Sequence, residues 1–134
     1  MTKILIIEDE ETLANAVRKY LEEKGDFEVD WAADGEEGLQ KAANADIILL
    51  DIVMPKTDGL QMLHTLRETS GLKDKKVIMM TNLDRDSDRD TAEKLGIERY
   101  LVKSSSTLVS ICDVIQEVAE GKPGPKEEET EKAA

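Results

Sequence analysis

Five polar side chains each follow a short run of apolar residues in this chain: Glu8, Asp9, Asp51, Thr81 and Lys103. Carboxylates crowded into one pocket repel each other, and a divalent cation that prefers oxygen ligands, Mg²⁺ or alternatively Mn²⁺, relieves that repulsion. A carboxylate can also attack a phosphoryl group and form an acyl phosphate. A nearby ammonium and hydroxyl can then stabilise the phosphoryl oxygens. These residue types therefore predict metal-assisted phosphoryl transfer onto a carboxylate.

The apolar runs before these side chains predict the sheet that brings them together. The unbroken runs at residues 4–7, 47–50 and 77–80 are typical of strands buried on both faces of a parallel sheet. Residues 27–31 alternate, as in an edge strand, and residues 100–102 form another short run. Apolar residues at helical spacing follow each strand. We therefore predict an α/β fold of five parallel strands and five helices, with right-handed crossovers. Ligands bind beyond the carboxyl ends of such strands.

The composition favours a single domain and argues against several classes of function. A chain of 134 residues suits one domain with one core. Its net charge of −12 argues against direct binding to a nucleic-acid backbone. The one cysteine excludes an internal disulfide. Without a signal peptide or a run long enough to span a bilayer, we expect a cytoplasmic protein. We predict a folded domain over residues 1–120 and a disordered Pro/Gly/Glu/Lys tail over residues 121–134.

The polar residues and their neighbours resemble the receiver domain of two-component response regulators. The motifs that carry the resemblance are Ile6-Ile7-Glu8-Asp9-Glu10, Leu50-Asp51-Ile52-Val53-Met54-Pro55, Asp58-Gly59, Met80-Thr81 and Tyr100-Leu101-Val102-Lys103. The resemblance spans roughly residues 2–120. It implies a doubly wound, flavodoxin-like (βα)5 three-layer sandwich with strand order 2-1-3-4-5.

The resemblance also implies roles for individual site residues. Asp51 would accept a phosphoryl group from a sensor histidine kinase or a phosphotransfer protein, and Lys103 would pair with that group. Mg²⁺ would be held by Glu8, Asp9, Asp51 and the backbone carbonyl of Val53. Such a domain catalyses only its own phosphoryl transfer and hydrolysis. We therefore expect a signalling domain and not an enzyme that acts on a separate substrate.

Two further residues would carry the signal away from the site. Thr81 would swing inward toward the phosphoryl oxygen, and Tyr100 would follow it from an outward to an inward position. The surface of the fourth helix, fifth strand and fifth helix would then change shape and select protein partners, through a shift between two existing states. The same surface is the expected site of homodimerisation. We expect no direct contact with nucleic acid or a membrane.

The chain departs from the family pattern beside its lysine. Members of the family usually carry proline after this lysine, joined by a cis bond, whereas this chain has Ser104. A cis bond before a residue other than proline costs about 3–4 kcal/mol. We therefore expect a trans Lys103–Ser104 bond, or a strained cis bond, and we expect the placement of the Lys103 ammonium to be the part of the site most affected.

Other departures lie beside the acceptor and the threonine. Asn82 stands where a small residue is usual, so we expect its side chain either to narrow access to Asp51 or to form a hydrogen bond near the phosphoryl group. The two positions that tune dephosphorylation in the family hold Val53 and Leu83, and neither side chain can position an attacking water. The sequence therefore predicts a comparatively long-lived phosphoryl group.

Three other functions compete with the receiver interpretation. A phosphatase of the haloacid dehalogenase type needs a second aspartate where this chain has Val53. A flavin- or nucleotide-binding protein needs a phosphate-cradling loop after the first strand, where the acidic residues 8–11 would repel phosphate. The remaining alternative is a receiver-like scaffold that binds partners without being phosphorylated.

Overall fold

The computed structural model describes residues 1–124 and shows a five-stranded parallel sheet between two layers of helices. The strands are β1 (Thr2–Ile7), β2 (Phe27–Ala32), β3 (Ile47–Asp51), β4 (Lys76–Thr81) and β5 (Arg99–Val102). The helices are α1 (Glu11–Glu22), α2 (Gly35–Lys41), α3 (Gly59–Glu68), α4 (Asp86–Leu95) and α5 (Leu108–Ala119). Short 3₁₀ turns follow α2 at Ala42–Asn44 and β5 at Lys103–Ser105.

The strand order is β2-β1-β3-β4-β5, and every neighbouring pair is parallel. This arrangement confirms the predicted doubly wound fold and its order 2-1-3-4-5. It also confirms that β2, whose apolar residues alternate, lies at an edge of the sheet. Because all five strands run in one direction, their carboxyl ends meet at one edge of the sheet.

The unbroken apolar runs are explained by burial of both faces of the central strands. In β1, Ile4 and Ile6 pack in a cluster with residues of α1 and α5. The alternate residues, Leu5 and Ile7, pack in a second cluster with residues of α2, α3 and α4. Strands β3 and β4 divide their side chains in the same way. Cys112 of α5 is fully buried in the first of these clusters.

Helix α4 is held by hydrogen bonds from α3 more than by apolar contacts. Within α4 the buried residue is Ala92, and most other positions of the helix carry charged or polar side chains. The guanidinium of Arg67 on α3 donates to the carbonyls of Leu95 and Gly96 at the carboxyl end of α4. It also donates to the carbonyls of Lys73 and Lys75 in the loop before β4. The amino-terminal end of α4 begins after Arg85, whose side chain makes no capping hydrogen bond. The hydrogen bonds from α3 therefore anchor the carboxyl end of this helix, whereas Arg89 nearer its start contacts Asp84 and the ring of Tyr100.

The chain after α5 turns back against β5. Arg99 is 6% exposed, and its Nη2 donates to the carbonyls of Lys122 at 3.1 Å and Pro123 at 2.8 Å. Its Nη1 pairs with Glu117 of α5 at 2.9 Å. Residues 122–123 are thus held against the domain, past the predicted boundary at residue 120. Residues 125–134 of the predicted tail lie outside the described residues, and their disorder stays a prediction.

Across residues 1–124, no helix is both long enough and apolar enough to cross a bilayer.

A test of the fold concerns the close approach of α3 to the end of β3. A Cβ atom on Gly59 would lie 2.6 Å from the Cα of Ile52 and 2.9 Å from the carbonyl carbon of Asp51, and both are backbone atoms. Gly59→Ala should therefore lower the free energy of unfolding by about 1–3 kcal/mol, because the backbone must shift. The control Gln61→Ala, at an exposed position in the same helix, should change it by less than about 0.5 kcal/mol. Urea unfolding measures both, and equal stability of the two variants would contradict this account.

Candidate functional site

The carboxyl edge of the sheet carries four of the polar residues singled out by the sequence. Glu8 follows β1, Asp51 and Thr81 end β3 and β4, and Lys103 follows β5. Glu8 and Asp51 are each 3% exposed, and Thr81 is fully buried. Buried polar groups of this kind need partners, so their hydrogen bonds define what the site can do.

Three carboxylates form a cluster at this edge. Glu8, Asp9 and Asp51 each offer an oxygen, and these oxygens lie within 4.8 Å of one another. Asp9 is exposed, whereas the other two side chains are buried, so the cluster opens to solvent on the Asp9 side. Within residues 1–124 this is the one group of acidic, histidine or cysteine side chains placed to share a metal ion. A set of carboxylate oxygens with a solvent-facing side fits the preference of Mg²⁺ for oxygen ligands and retained water.

The ammonium of Lys103 lies between the two buried carboxylates. Its Nζ is 2.7 Å from Oε2 of Glu8 and 2.7 Å from Oδ2 of Asp51. The Lys103–Ser104 bond is trans, and no peptide bond in residues 1–124 is cis. The backbone then forms a 3₁₀ turn, in which the N–H of Ser106 donates to the carbonyl of Lys103 at 3.1 Å. The trans bond that Ser104 predicted is confirmed, and the ammonium reaches both acids without the usual proline.

The proximity of these charges changes the protonation of the site. Burial and hydrogen bonding with Asp51 raise the pKa of Glu8 from 4.5 to about 7, although Lys103 opposes the shift. Burial by itself lowers the pKa of Lys103, but the hydrogen bonds and the charge attraction of Asp51 and Glu8 together outweigh burial and raise that pKa. Lys103 therefore stays charged, while Glu8 exchanges its proton near neutral pH.

The loop after β3 holds the other oxygen of Asp51. The backbone N–H of Val53 donates to Oδ1 of Asp51 at 3.1 Å. Val53 also forms an isolated antiparallel bridge with Asp58, and the N–H of Gly59 donates to the carbonyl of Ile52 at 2.8 Å. These bonds hold the backbone of Val53 beside the carboxylate cluster, while its side chain is 51% exposed.

Thr81 and Tyr100 are placed near the site but do not contact Asp51 by hydrogen bonds. The hydroxyl of Thr81 donates to the carbonyl of Leu83 at 3.1 Å and accepts from the N–H of Leu83 at 2.9 Å. The hydroxyl of Tyr100 is buried and has no hydrogen-bond partner within residues 1–124. Burial raises the pKa of Tyr100 to about 12. The guanidinium of Arg89, on α4, lies 4.4 Å from the centre of the Tyr100 ring.

One contact of the site was not predicted from the sequence. The indole N–H of Trp31 donates to the backbone carbonyl of Glu8 at 2.7 Å. The two residues lie 23 positions apart, and no local pattern around either of them signals the bond. The sequence offers one indirect indication, which is that Trp31 lies near the end of β2, the strand that pairs with β1.

Comparison with known proteins agrees with this geometry. The family described as the response regulator receiver domain matches residues 4–116. The transcriptional regulatory protein ResD of Bacillus subtilis is 36% identical over 107 residues, which are 78% of this chain and 43% of ResD. CpxR of Escherichia coli is 38% identical over 104 residues, which are 77% of this chain and 43% of CpxR. This chain thus spans less than half the length of these curated relatives.

Solved structures are similar over nearly the whole chain. A CheY-like receiver domain protein from Methanospirillum hungatei superposes with a TM-score of 0.80 at 25% identity, covering 90% of this chain and 95% of that one. The chemotaxis protein CheY4 of Vibrio cholerae gives a TM-score of 0.78 at 28% identity, covering 88% and 98%. The motifs, the sheet order and the family match lead to the same assignment, and this chain belongs to the receiver domain family of two-component response regulators.

Proposed function

We propose that Asp51 accepts a phosphoryl group from the phosphohistidine of a sensor histidine kinase or phosphotransfer protein. The observation that carries the proposal is the convergence on one buried carboxylate of two further carboxylates and the Lys103 ammonium. A carboxylate oxygen of Asp51 attacks the phosphorus, the P–N bond to the donor imidazole breaks, and the imidazole leaves with that electron pair. The product is an aspartyl phosphate, and the domain catalyses only this transfer and its later hydrolysis.

The residues around Asp51 would bind the metal ion and stabilise the charge on the phosphoryl group. Glu8, Asp9, Asp51 and the carbonyl of Val53 would hold Mg²⁺, or Mn²⁺ in its place, and the ion supplies positive charge to the phosphoryl oxygens. Lys103 lies 2.7 Å from Oδ2 of Asp51, and this distance supports a role in which its ammonium pairs with a phosphoryl oxygen attached there. The positive charge of Lys103 is retained, because its pKa is raised.

Thr81 and Tyr100 would link the state of Asp51 to the outer surface. The Thr81 hydroxyl is engaged by Leu83, and turning it toward a phosphoryl oxygen would break both bonds that tie it to that residue. Leu83 lies in the short loop that leads into α4, so the start of this helix would be released. The contact between the Tyr100 ring and the guanidinium of Arg89 would couple β5 to the same helix. Phosphoryl contacts that favour one arrangement shift the population between the two.

The face formed by α4, β5 and α5 is the proposed surface for partner binding and for homodimerisation. A groove of about 500 Å³ lies there, lined by residues that include Arg89, Tyr100 and Val114. The relatives named as transcriptional regulators are longer than the stretch matched here. For the 134-residue chain, with its net charge of −12, we propose that the signal passes through protein contacts and not through direct binding to nucleic acid or a membrane.

Phosphorylation of Asp51 can be measured directly. Incubation with Mg²⁺ and a small phosphodonor should add one phosphoryl group to the wild-type protein, detected by intact mass. Asp51→Asn should gain none, because an amide cannot attack phosphorus in this way. Absence of any gain in the wild type under several donors would contradict the proposal and leave the non-phosphorylated scaffold.

The raised pKa of Glu8 makes Mg²⁺ binding depend on pH. The proton must leave before Glu8 can bind the ion, so affinity should rise with pH and should fall by up to about tenfold per unit below about pH 7. Calorimetric titrations between about pH 6 and 8 measure this dependence. Glu8→Gln has no proton to release, so its weaker binding should be nearly flat over the same range. A flat profile in the wild type would disagree with the proposed role of Glu8.

The apolar side chains around the acceptor predict a slow loss of the phosphoryl group. Val53 and Leu83 follow Asp51 and Thr81 by two residues, their side chains are 51% and 43% exposed, and neither side chain can hydrogen-bond an attacking water. Leu83→Gln should speed decay severalfold, whereas the apolar control Leu83→Met should not. Phosphorus-31 spectroscopy after labelling follows the decay. Turnover of the wild type within seconds, or equal rates in the two variants, would refute this explanation.

A further inference from the structure

The indole N–H of Trp31 donates a hydrogen bond to the backbone carbonyl of Glu8, for which the sheet supplies no donor. β1 and β2 pair up to Ile7 and Ala32, and the N–H of Glu8 then donates to the carbonyl of Ala32 at 3.1 Å. A parallel ladder that continued would supply the next backbone N–H of β2 to the carbonyl of Glu8. The strand ends at Ala32, and the Nε1–H of Trp31 donates to that carbonyl at 2.7 Å instead.

Packing and hydrogen bonds restrain both the ring and the backbone of Trp31. Its ring packs against the buried cluster between the sheet and helices α1 and α5. The backbone carbonyl of Trp31 accepts from Nζ of Lys41 at 2.7 Å, and its backbone N–H donates to Oδ1 of Asp30 at 2.8 Å. Lys41 is held in turn by Glu37 at 3.1 Å. The packing of the ring and the bond from Nε1 to the carbonyl of Glu8 together hold the indole N–H in place as a donor.

The accepting carbonyl belongs to the peptide unit that joins two of the clustered acids. Because a peptide unit is planar, rotation about the bonds on either side of it swings both flanking side chains. The peptide unit before Glu8 is held by the sheet, because the N–H of Glu8 donates to Ala32. The sheet supplies no such bond to the next peptide unit, which contains the carbonyl of Glu8. The indole bond removes that freedom for the plane between Glu8 and Asp9.

We propose that Trp31 is a positioning residue for the divalent-cation site, acting through the Glu8–Asp9 peptide unit. The inference rests on the proposed function, in which these acids hold Mg²⁺. Trp31 touches neither the ion nor Asp51. Its contribution is to keep the carboxylates of Glu8 and Asp9 oriented before the ion arrives, so that less conformational freedom is lost on binding.

The test compares Mg²⁺ affinity in two variants of β2 by isothermal calorimetry with magnesium chloride as the probe. Trp31→Phe keeps an aromatic ring in the cluster and removes the N–H. Phe27→Leu is the control, since Phe27 packs against the same cluster at the opposite end of the strand. Loss of one hydrogen bond of ordinary strength should raise the dissociation constant for Mg²⁺ by about three- to tenfold in Trp31→Phe. Phe27→Leu should stay within about twofold of the wild type.

The outcomes separate this inference from the function on which it rests. Equal Mg²⁺ affinity in Trp31→Phe and the wild type would overturn the role of Trp31 and leave the metal site standing. An equal loss in both variants would also overturn it, because it would show a general effect of packing. Failure of the wild type to bind magnesium chloride would instead overturn the proposed metal site.

A second measurement needs no variant, so it serves even where Trp31→Phe does not fold. The chain has one tryptophan, so a proton–nitrogen spectrum of the wild type contains a single indole signal. Magnesium chloride should shift this signal and slow its exchange with solvent, because the ion and the indole N–H act on the same peptide unit. An indole signal that does not respond to saturating Mg²⁺ would contradict the inference.

Discussion

The ion pairs of the Lys103 ammonium with Glu8 and Asp51 are the interaction on which this site depends. Both carboxylates are 3% exposed, and each lies 2.7 Å from the same Nζ. Buried charges are tolerated only when a partner offsets the lost hydration, and one ammonium here serves two of them. The shift in the pKa of Glu8 shows that this compensation is partial. The cluster therefore retains an excess of negative charge that a divalent cation can neutralise.

The sheet makes this concentration of charge stable by surrounding it with apolar packing. Every strand that ends at the site, apart from the short β5, is buried on both faces. Gly59 lets α3 begin directly against the backbone of β3, which keeps the loop of Val53 close to Asp51. The rigid part of the molecule thus lies beneath the acids, and the loops above them carry the oxygen and nitrogen atoms that would contact a phosphoryl group.

Helix α4, beside β4 and β5, is held in a different way from the buried strands. Helix α4 relies on Arg67 at its carboxyl end, and its amino-terminal end follows the loop that contains Leu83. The hydroxyl of Thr81 is bonded to Leu83, and the ring of Tyr100 lies under Arg89 of α4. In the proposed switch, a change at Asp51 that moved Thr81 would act first on the amino-terminal end of this helix, through Leu83. The hydrogen bonds from Arg67 would meanwhile hold its carboxyl end.

Local patterns in the sequence determined which segments form strands and which polar residues end them, because burial of both strand faces requires unbroken apolar runs. Those patterns placed Asp51 and Lys103 at one edge of the sheet, and the family resemblance supplied the strand order. Only the tertiary structure decided where the side chains point. The ammonium of Lys103 meets acids 95 and 52 residues away, and Trp31 meets Glu8 across 23 residues. Such contacts depend on the packing of separate elements, so no local pattern encodes them.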